Sequence, residues 1–437
     1  MKQFTPIRTR PPEAPFKKGD VLVLFGELFN RGYANGLVEE AERHGLTVVR
    51  ATVGRRDENN NLRALTEEES KNIPQPFINV PLEAGFDLEQ DSSGQTPNDY
   101  LKGVKLSEWQ NVQLSEKTLA EASEKGRTRF KKQTAEFISQ LENKVLTNLQ
   151  PGNHVHFAHL MAGGVPRSKI VLPLMNRVFK GTGDRWLASK DFWNSTIGSF
   201  LKLNFHAVTA ETFDILVDES TALRDKLKAK NISTSYVAYG YHGTEVIVDG
   251  EYRWQSYAPY IQGWAKIDLE DYSKKWFQKG VQTCVYNCPE ILTNSSSIFQ
   301  GVEIALYNLL RSLKRELPNH PTTARLFNEC QQVLKEPNML DKVFADVDAF
   351  MNFSQQHGTS DFQTWPQHST KEQMEKMLAL SDEIVSIHKD DKSLMSPILS
   401  EIIFNSCGYI MLHDAYKPQS PVLWIGHDVI SKCIPNA

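Results

Sequence analysis

Long apolar runs are missing from this chain. None of its 437 residues falls in a run of about 18 apolar side chains, which excludes a membrane-spanning helix. The N-terminus, Met1 to Asp20, is polar, basic and proline-bearing, and lacks the apolar centre of a secretory signal. Charge of one sign is missing too. A formal net charge of −4 gives no electrostatic basis for nucleic-acid binding over the whole chain. Cysteine is scarce and odd in number: Cys284, Cys288, Cys330, Cys407 and Cys433. That set suits free thiols in a reducing compartment rather than a disulfide framework, so a cytoplasmic location is expected. Sequons such as Asn294-Ser-Ser then say little. Internal repeats and low-complexity linkers are also absent.

What is there is an ordinary globular composition. Hydrophobic residues make up 40% and charged residues 23%, enough for a sizeable core. Residues 21–26, Val-Leu-Val-Leu-Phe-Gly, read as a buried strand. A helical pattern from Tyr33 to His44 stops at Gly45, and Leu46–Arg50 reads as a second strand. Further strands are expected at Asn153–Leu160, Ser233–Tyr241, Val281–Tyr286 and Pro421–Ile425, with a strand-like piece at Pro76–Val80. Helical patterns cover Leu119–Leu149, residues 190–229 as two helices, the stretch to Gln278, and Phe299–Leu317. This alternation predicts an α/β fold with a doubly wound parallel sheet of Rossmann type. One domain over 1–437 is expected, with insertions at about 57–115 and, mostly helical, at about 320–415. Their size and position between core strands suggest a lid.

The turn after the first strand reads Gly26-Glu-Leu-Phe-Asn30-Arg31-Gly32-Tyr33-Ala34-Asn-Gly36. A dinucleotide loop needs small residues for a tight turn, for backbone approach to the pyrophosphate, and for helix-on-strand packing. Gly26, Gly32 and either Gly36 or Ala34 fill those roles, and helix N-terminal amides would face the phosphate. The spacing is not G-x-G-x-x-G, so a glycine-punctuated turn that binds nothing competes with this reading. The second strand ends Arg50-Ala-Thr-Val-Gly-Arg55-Arg56-Asp57. Arg50 and Arg55 suit a ribose 2′-phosphate and favour NADPH. Asp57 is the alternative acid for a ribose hydroxyl, so NADH stays possible.

Downstream stands Tyr257-Ala-Pro-Tyr260-Ile-Gln262-Gly-Trp-Ala-Lys266. A phenol with pKa about 10 needs a nearby cation to act as an acid or electrophile near neutral pH. Pro259 favours a helix start there. On a helix, Tyr260 and Lys266 lie about 120° apart, which leaves Tyr257, ahead of the helix, as the better phenol. The chain has 13 tyrosines, so a chance spacing is the bland alternative. His154, His156 and His159 offer two alternating ligands on one strand and no third, so no metal is expected there or at Cys284 and Cys288; buried, hydrogen-bonded histidines are the better reading. Asn204 is either a proton-relay asparagine or a surface residue of an amphipathic helix.

Taken together, the loop, the Tyr257-x8-Lys266 spacing and the segment Cys288-Pro289-Glu-Ile291-Leu-Thr293 resemble the short-chain dehydrogenase/reductase superfamily. Within it the chain is similar to enoyl reductases of fatty-acid synthesis, including the long single-chain trans-2-enoyl-CoA/acyl-carrier-protein reductases. His156–Ala162 is similar to their strand beside the nicotinamide ribose, and Ile291–Leu310 to their threonine loop and helix. The resemblance implies an NAD(P)H-dependent reduction of a 2-enoyl thioester on acyl carrier protein or CoA. It implies that Tyr257, with Tyr260 beside it, acts on the thioester carbonyl. Lys266 would hold the ribose, with Gly26, Asn30, Arg31, Gly32, Tyr33, Ala162, Gly163, Pro289, Ile291 and Thr293 around the cofactor. Tyr239 and Tyr241 would line the substrate site. A carbonyl reductase usually wants Tyr-x3-Lys, and Gln262 stands where its tyrosine would be. A non-catalytic NAD(P) sensor is the other alternative.

Overall fold

The computed structural model describes residues 4–240, 243–248, 250–254, 262–293, 300–356, 370–390 and 394–434. Its centre follows from the apolar run at Val21–Glu27. Leu22 and Leu24 enter one hydrophobic cluster, while Val21, Val23 and Phe25 enter another. Alternate side chains point to opposite faces of a strand, so this strand is covered on both sides, as parallel sheets require.

The main sheet has seven parallel strands: β1 (Pro6–Ile7), β2 (Val21–Glu27), β3 (Thr47–Ala51), β6 (His154–His159), β7 (Ser233–Gly240), β10 (Thr283–Asn287) and β11 (Val422–Ile425). Their order is β1-β11-β10-β7-β6-β2-β3. Two antiparallel hairpins stand apart, β4 (Arg55–Arg56) with β5 (Leu62–Arg63), and β8 (Glu245–Val248) with β9 (Glu251–Trp254). The chain leaves β2 toward β3 and returns to β6 on the other side of β2. This reversal puts a crevice beyond the carboxyl ends of β2 and β6, the position where open α/β sheets bind ligands.

Helices form both outer layers. Helix α1 (Tyr33–Arg43) joins β2 to β3. Helix α2 (Glu116–Lys144) starts at its Ser115 cap, whose side chain accepts from the Thr118 amide, and buries Phe130, Phe137 and Leu141. The stretch 190–229, expected as two helices, is broken further. It contains α3 (Thr196–Phe205), a π-helical turn (His206–Glu211) and α4 (Thr212–Glu219), flanked by Ser189–Trp193 and Thr221–Ala229. The Ser195 side chain caps α3 and so ends the preceding helix. Helix α5 (Gly263–Gln278) carries Lys266 in its first turn. Pro76–Val80 is not a sheet strand. It only bridges Arg50, through Arg50 N to Pro76 O at 2.9 Å and Ile78 N to Arg50 O at 2.9 Å.

β11 pairs with β10, so the long helical stretch before it returns to the sheet. Its last helix, α6 (Ser396–Asp414), lies directly on α1. Gly36 and Gly408 make that crossing. A Cβ at Gly36 would stand 2.0 Å from the Phe404 carbonyl oxygen, and one at Gly408 would stand 2.1 Å from the Gly36 carbonyl carbon. Gly36 therefore serves helix-on-helix packing, not the helix-on-strand packing expected of it. No described helix is long and apolar enough to cross a membrane. All five cysteines are buried and free.

Candidate active site

β2 ends in Phe25-Gly26-Glu27, and the Phe25 carbonyl accepts from the Leu160 amide at 2.8 Å. Gly26 has φ +123°, and a Cβ there would meet the Leu160 carbonyl carbon at 3.0 Å. Only glycine satisfies both demands. Asn30 and Arg31 are exposed on the loop that follows. Gly32 then precedes α1, with nothing within 4 Å of where a Cβ would stand. No side chain caps α1 at Gly32 and no acid occupies its first turn. The Asn35 amide donates to the Gly32 carbonyl at 3.1 Å. A helix start that carries no acid suits the approach of an anion such as a pyrophosphate.

Tyr33 reaches across the crevice. Its hydroxyl donates to the Pro289 carbonyl, and its ring stacks on Tyr239 with centroids 5.7 Å apart. Pro289 and Ile291 are buried and Thr293 half-buried. The Ser400 hydroxyl of α6 accepts from the Leu292 amide at 2.9 Å and anchors this loop. The Tyr239 hydroxyl is enclosed and has no hydrogen-bond partner among the described residues. Burial pushes its pKa well up, so it keeps its proton.

Lys266 sits under the same strand end. Only 7% of the residue is exposed, and its Nζ donates to the Tyr239 carbonyl oxygen at 2.6 Å. Burial pulls its pKa down to about 8, with Cys288 opposing that shift. Glu270, one helical turn on, accepts from Asn287 Nδ2 of β10 at 2.9 Å. α5 is in this way tied to the ends of both β7 and β10. Tyr257, Tyr260 and Tyr241 lie outside the described residues.

On the β6 side, Ala162 is exposed, and Gly163 and Gly164 have φ of +95° and +96°. Asn204 holds this loop. Its Nδ2 donates to the Gly164 carbonyl at 2.6 Å, and its Oδ1 accepts from the Phe86 amide at 3.0 Å. Thr209, in the π-helical turn, donates to the Gly163 carbonyl at 3.2 Å. Asn204 is thus a buried clamp, neither a surface residue nor a group with a free proton-relay atom. Asn204→Leu is expected to destabilise the fold by about 1–3 kcal/mol for each backbone group left unpaired, read from denaturant unfolding. A loss well under about 0.5 kcal/mol would contradict the clamp.

The arginines in and after β3 take partners other than those expected. Arg55 makes a two-pronged pair with Glu27, Nη1 to Oε2 at 3.0 Å and Nη2 to Oε1 at 2.9 Å. Arg50 pairs with Glu42 at 2.9 Å, and Arg56 with Glu83. Asp57 accepts from the Asn59 and Asn61 amides at 2.9 and 2.8 Å, so it caps the β4–β5 turn. Glu27, Arg50, Thr52 and Arg55 line a cavity of about 470 Å³ between the ends of β2 and β3. Glu27 escaped the sequence reading because the acid was sought at the end of the second strand.

The strand histidines are buried and hydrogen-bonded. His154 meets Ser233 and Ser235 at 2.7 Å each, His156 meets Ser235 at 2.7 Å, and His159 meets Thr212 at 2.8 Å. Burial lowers the pKa of His154 to about 4 and of His156 to about 3, and that of His159 well below the usual histidine value, so all three are neutral. Among the described residues, Glu40, His44 and His413 bring three ligand-type atoms within 4.8 Å of one another. His413 Nδ1 already accepts from the Ala14 amide at 2.9 Å. Its Nε2 therefore carries the proton and donates it to Glu40 Oε1 at 3.0 Å. That cluster is satisfied as a hydrogen-bonded clamp on the N-terminal segment.

A family model described as enoyl-acyl carrier protein reductase FabMG matches residues 3–434. A solved apo structure of FabMG, a novel type of enoyl-acyl carrier protein reductase, is 42% identical. It covers 99% of this chain and 98% of its own, with a TM-score of 0.93. An NADH-bound FabMG structure is 37% identical over 99% of both chains, with a TM-score of 0.79. A search of curated proteins returns no match. The buried lysine at the crevice, the acid-free start of α1 and a match over nearly every residue agree with one another: the chain belongs to the FabMG family of enoyl-acyl carrier protein reductases.

Proposed function

We propose that this reductase uses NADH to reduce the double bond of a 2-enoyl chain carried on acyl carrier protein. The observation that carries the reading is Lys266: a buried ammonium at the carboxyl edge of the sheet, bonded to Tyr239, whose ring stacks on Tyr33 at the start of α1. NADH rather than NADPH is favoured because Arg50 and Arg55 are already paired with carboxylates. The FabMG structure in complex with a nucleotide holds NADH. When bound, the dihydronicotinamide supplies the hydride to the β-carbon.

The chain's own residues then divide the remaining work. Gly26 brings β2 close to β6, and the amides after Gly32, with Asn30, Arg31 and Tyr33 around them, receive the pyrophosphate. Lys266 holds the nicotinamide ribose, and the phenol of Tyr257 polarises the thioester carbonyl and returns a proton to the enolate. Ala162, Gly163, Pro289, Ile291 and Thr293 border the nicotinamide. Tyr239, with an enclosed hydroxyl that has no partner among the described residues, and Tyr241 serve the substrate side.

The test is loss of dihydronicotinamide absorbance with 2-enoyl thioesters on carrier protein and on CoA, beside an acetoacetyl thioester. Turnover of the enoyl substrates alone upholds the reading, and turnover of the acetoacetyl thioester alone replaces it with carbonyl reduction. A pH effect follows from Lys266. As pH rises through about 8, its Nζ loses the proton that carries the charge. The KM for NADH is expected to rise above that pH. A flat KM up to about pH 10, the ordinary lysine range, would argue against a ribose contact by Lys266.

A further inference from the structure

The cavity between the ends of β2 and β3 lies where an open α/β sheet receives the adenosine ribose. The acid that selects the unphosphorylated ribose there usually comes from the end of the second strand. Here β3 ends in Ala51, and Thr52 follows. Two acids line the cavity: Glu69, which is paired with Arg63, and Glu27, from the end of the first core strand and in register opposite Ala51.

Glu27 is held on all sides. Thr52 Oγ1 donates to its Oε2 at 3.0 Å, the Val53 amide reaches the same oxygen at 3.4 Å, and Arg55 takes both oxygens. Arg55 and Arg50 are the arginines on the cavity wall, and each is neutralised, Arg50 by Glu42 at 2.9 Å. A ribose hydroxyl is neutral and donates to Glu27 without breaking the pair. A 2′-phosphate would have to approach the Glu27 carboxylate or pull Arg55 away from a two-pronged ion pair.

We propose that Glu27 sets the dinucleotide preference of this enzyme, by holding Arg55 and by keeping negative charge in the ribose cavity against a 2′-phosphate. The inference rests on the NADH reading above and names the residue that enforces it. Lowering of the Glu27 pKa, chiefly by Arg55 against its burial, agrees with an ionised carboxylate.

The experiment compares wild type, Glu27→Gln, Arg55→Met and the double variant. Two readouts are taken for each: Kd of NADH and of NADPH by nucleotide fluorescence, and kcat/KM for each with one enoyl thioester. Glu27→Gln keeps the shape, frees Arg55, and is expected to shift both ratios toward NADPH by at least about tenfold, the scale of one charge-assisted hydrogen bond. The double variant is expected to lose that gain. An unchanged ratio in folded Glu27→Gln, or a gain kept in the double variant, overturns the assignment. Arg55→Met alone decides if Glu27→Gln does not fold. It leaves the carboxylate unpaired and is expected to weaken NADPH relative to NADH, and a relative gain in NADPH would overturn the proposal. Wild-type enzyme that neither binds nor oxidises NADH would instead overturn the cofactor reading underneath.

Discussion

Gly36→Ala is expected to cost this protein about 1–3 kcal/mol and to deplete folded enzyme in the soluble fraction. Two effects oppose each other. Alanine in a helix is favoured over glycine by about 1 kcal/mol. Against that, the added Cβ would sit 2.0 Å from the Phe404 carbonyl oxygen and 2.8 Å from the Asn405 Cα, which are backbone atoms and not yielding side-chain ends. The clash wins unless α1 and α6 move apart. Parting them would open the packing of Leu37, Val38 and Ala41 against the α6 side of the core. Gly408→Ala enters the same contact from the other helix and should behave alike. Gly32→Ala is the informative contrast, since its Cβ meets nothing within 4 Å. It should leave the melting midpoint nearly unchanged while weakening NADH binding, because the methyl would stand at the start of α1. Equal melting midpoints for Gly36→Ala and wild type would refute the close crossing.

Lys266→Met should give the opposite separation of function from stability. Methionine has similar length, is apolar, and places no charge in a buried position. Burial already opposes the charged form of Lys266, as its lowered pKa shows. The substitution loses the hydrogen bond to the Tyr239 carbonyl, worth about 1–3 kcal/mol as a charged bond, but also removes the penalty for burying an ammonium. Stability should therefore change by less than about 2 kcal/mol. Enoyl reduction should fall at least about hundredfold in kcat/KM, the lower end of what a positioned acid–base group contributes. Part of the loss should appear as a raised KM for NADH, since the ribose loses its holder. Near-wild-type turnover in folded Lys266→Met would remove Lys266 from the site, and an unfolded variant would make it a structural residue first.

Most of the sheet was legible before the structure because the signals for it are local. Val21–Phe25 and Cys284–Tyr286 are short apolar runs bounded by turn residues, and a continuous apolar run marks a strand buried on both faces without knowledge of distant partners. The same holds for Lys266 lying on a helix, although that helix begins at Gly263 and not at Pro259 as expected. Helix boundaries in 190–229 were less legible. One serine cap at 195 and a π-helical turn divide further a pattern that reads as two helices, and that turn is set by packing against α5 and the Gly163 loop.

By itself the sequence determined a doubly wound α/β chain with a glycine turn after its first core strand and a lysine on the helix after β7. Only the tertiary structure decided what the charged and small residues near that site do. A guanidinium in a sequence suits a phosphate and a carboxylate equally, and Arg55 was assigned to the wrong one until β2 and β3 were seen side by side with Glu27 between them. Gly36 looked like part of a phosphate loop because its true neighbour, Gly408, is more than 370 residues away. Tyr33 met Pro289 and Tyr239 for the same reason. Local periodicity fixes which face of an element is apolar, but the crossovers of the sheet choose which distant backbone that face touches.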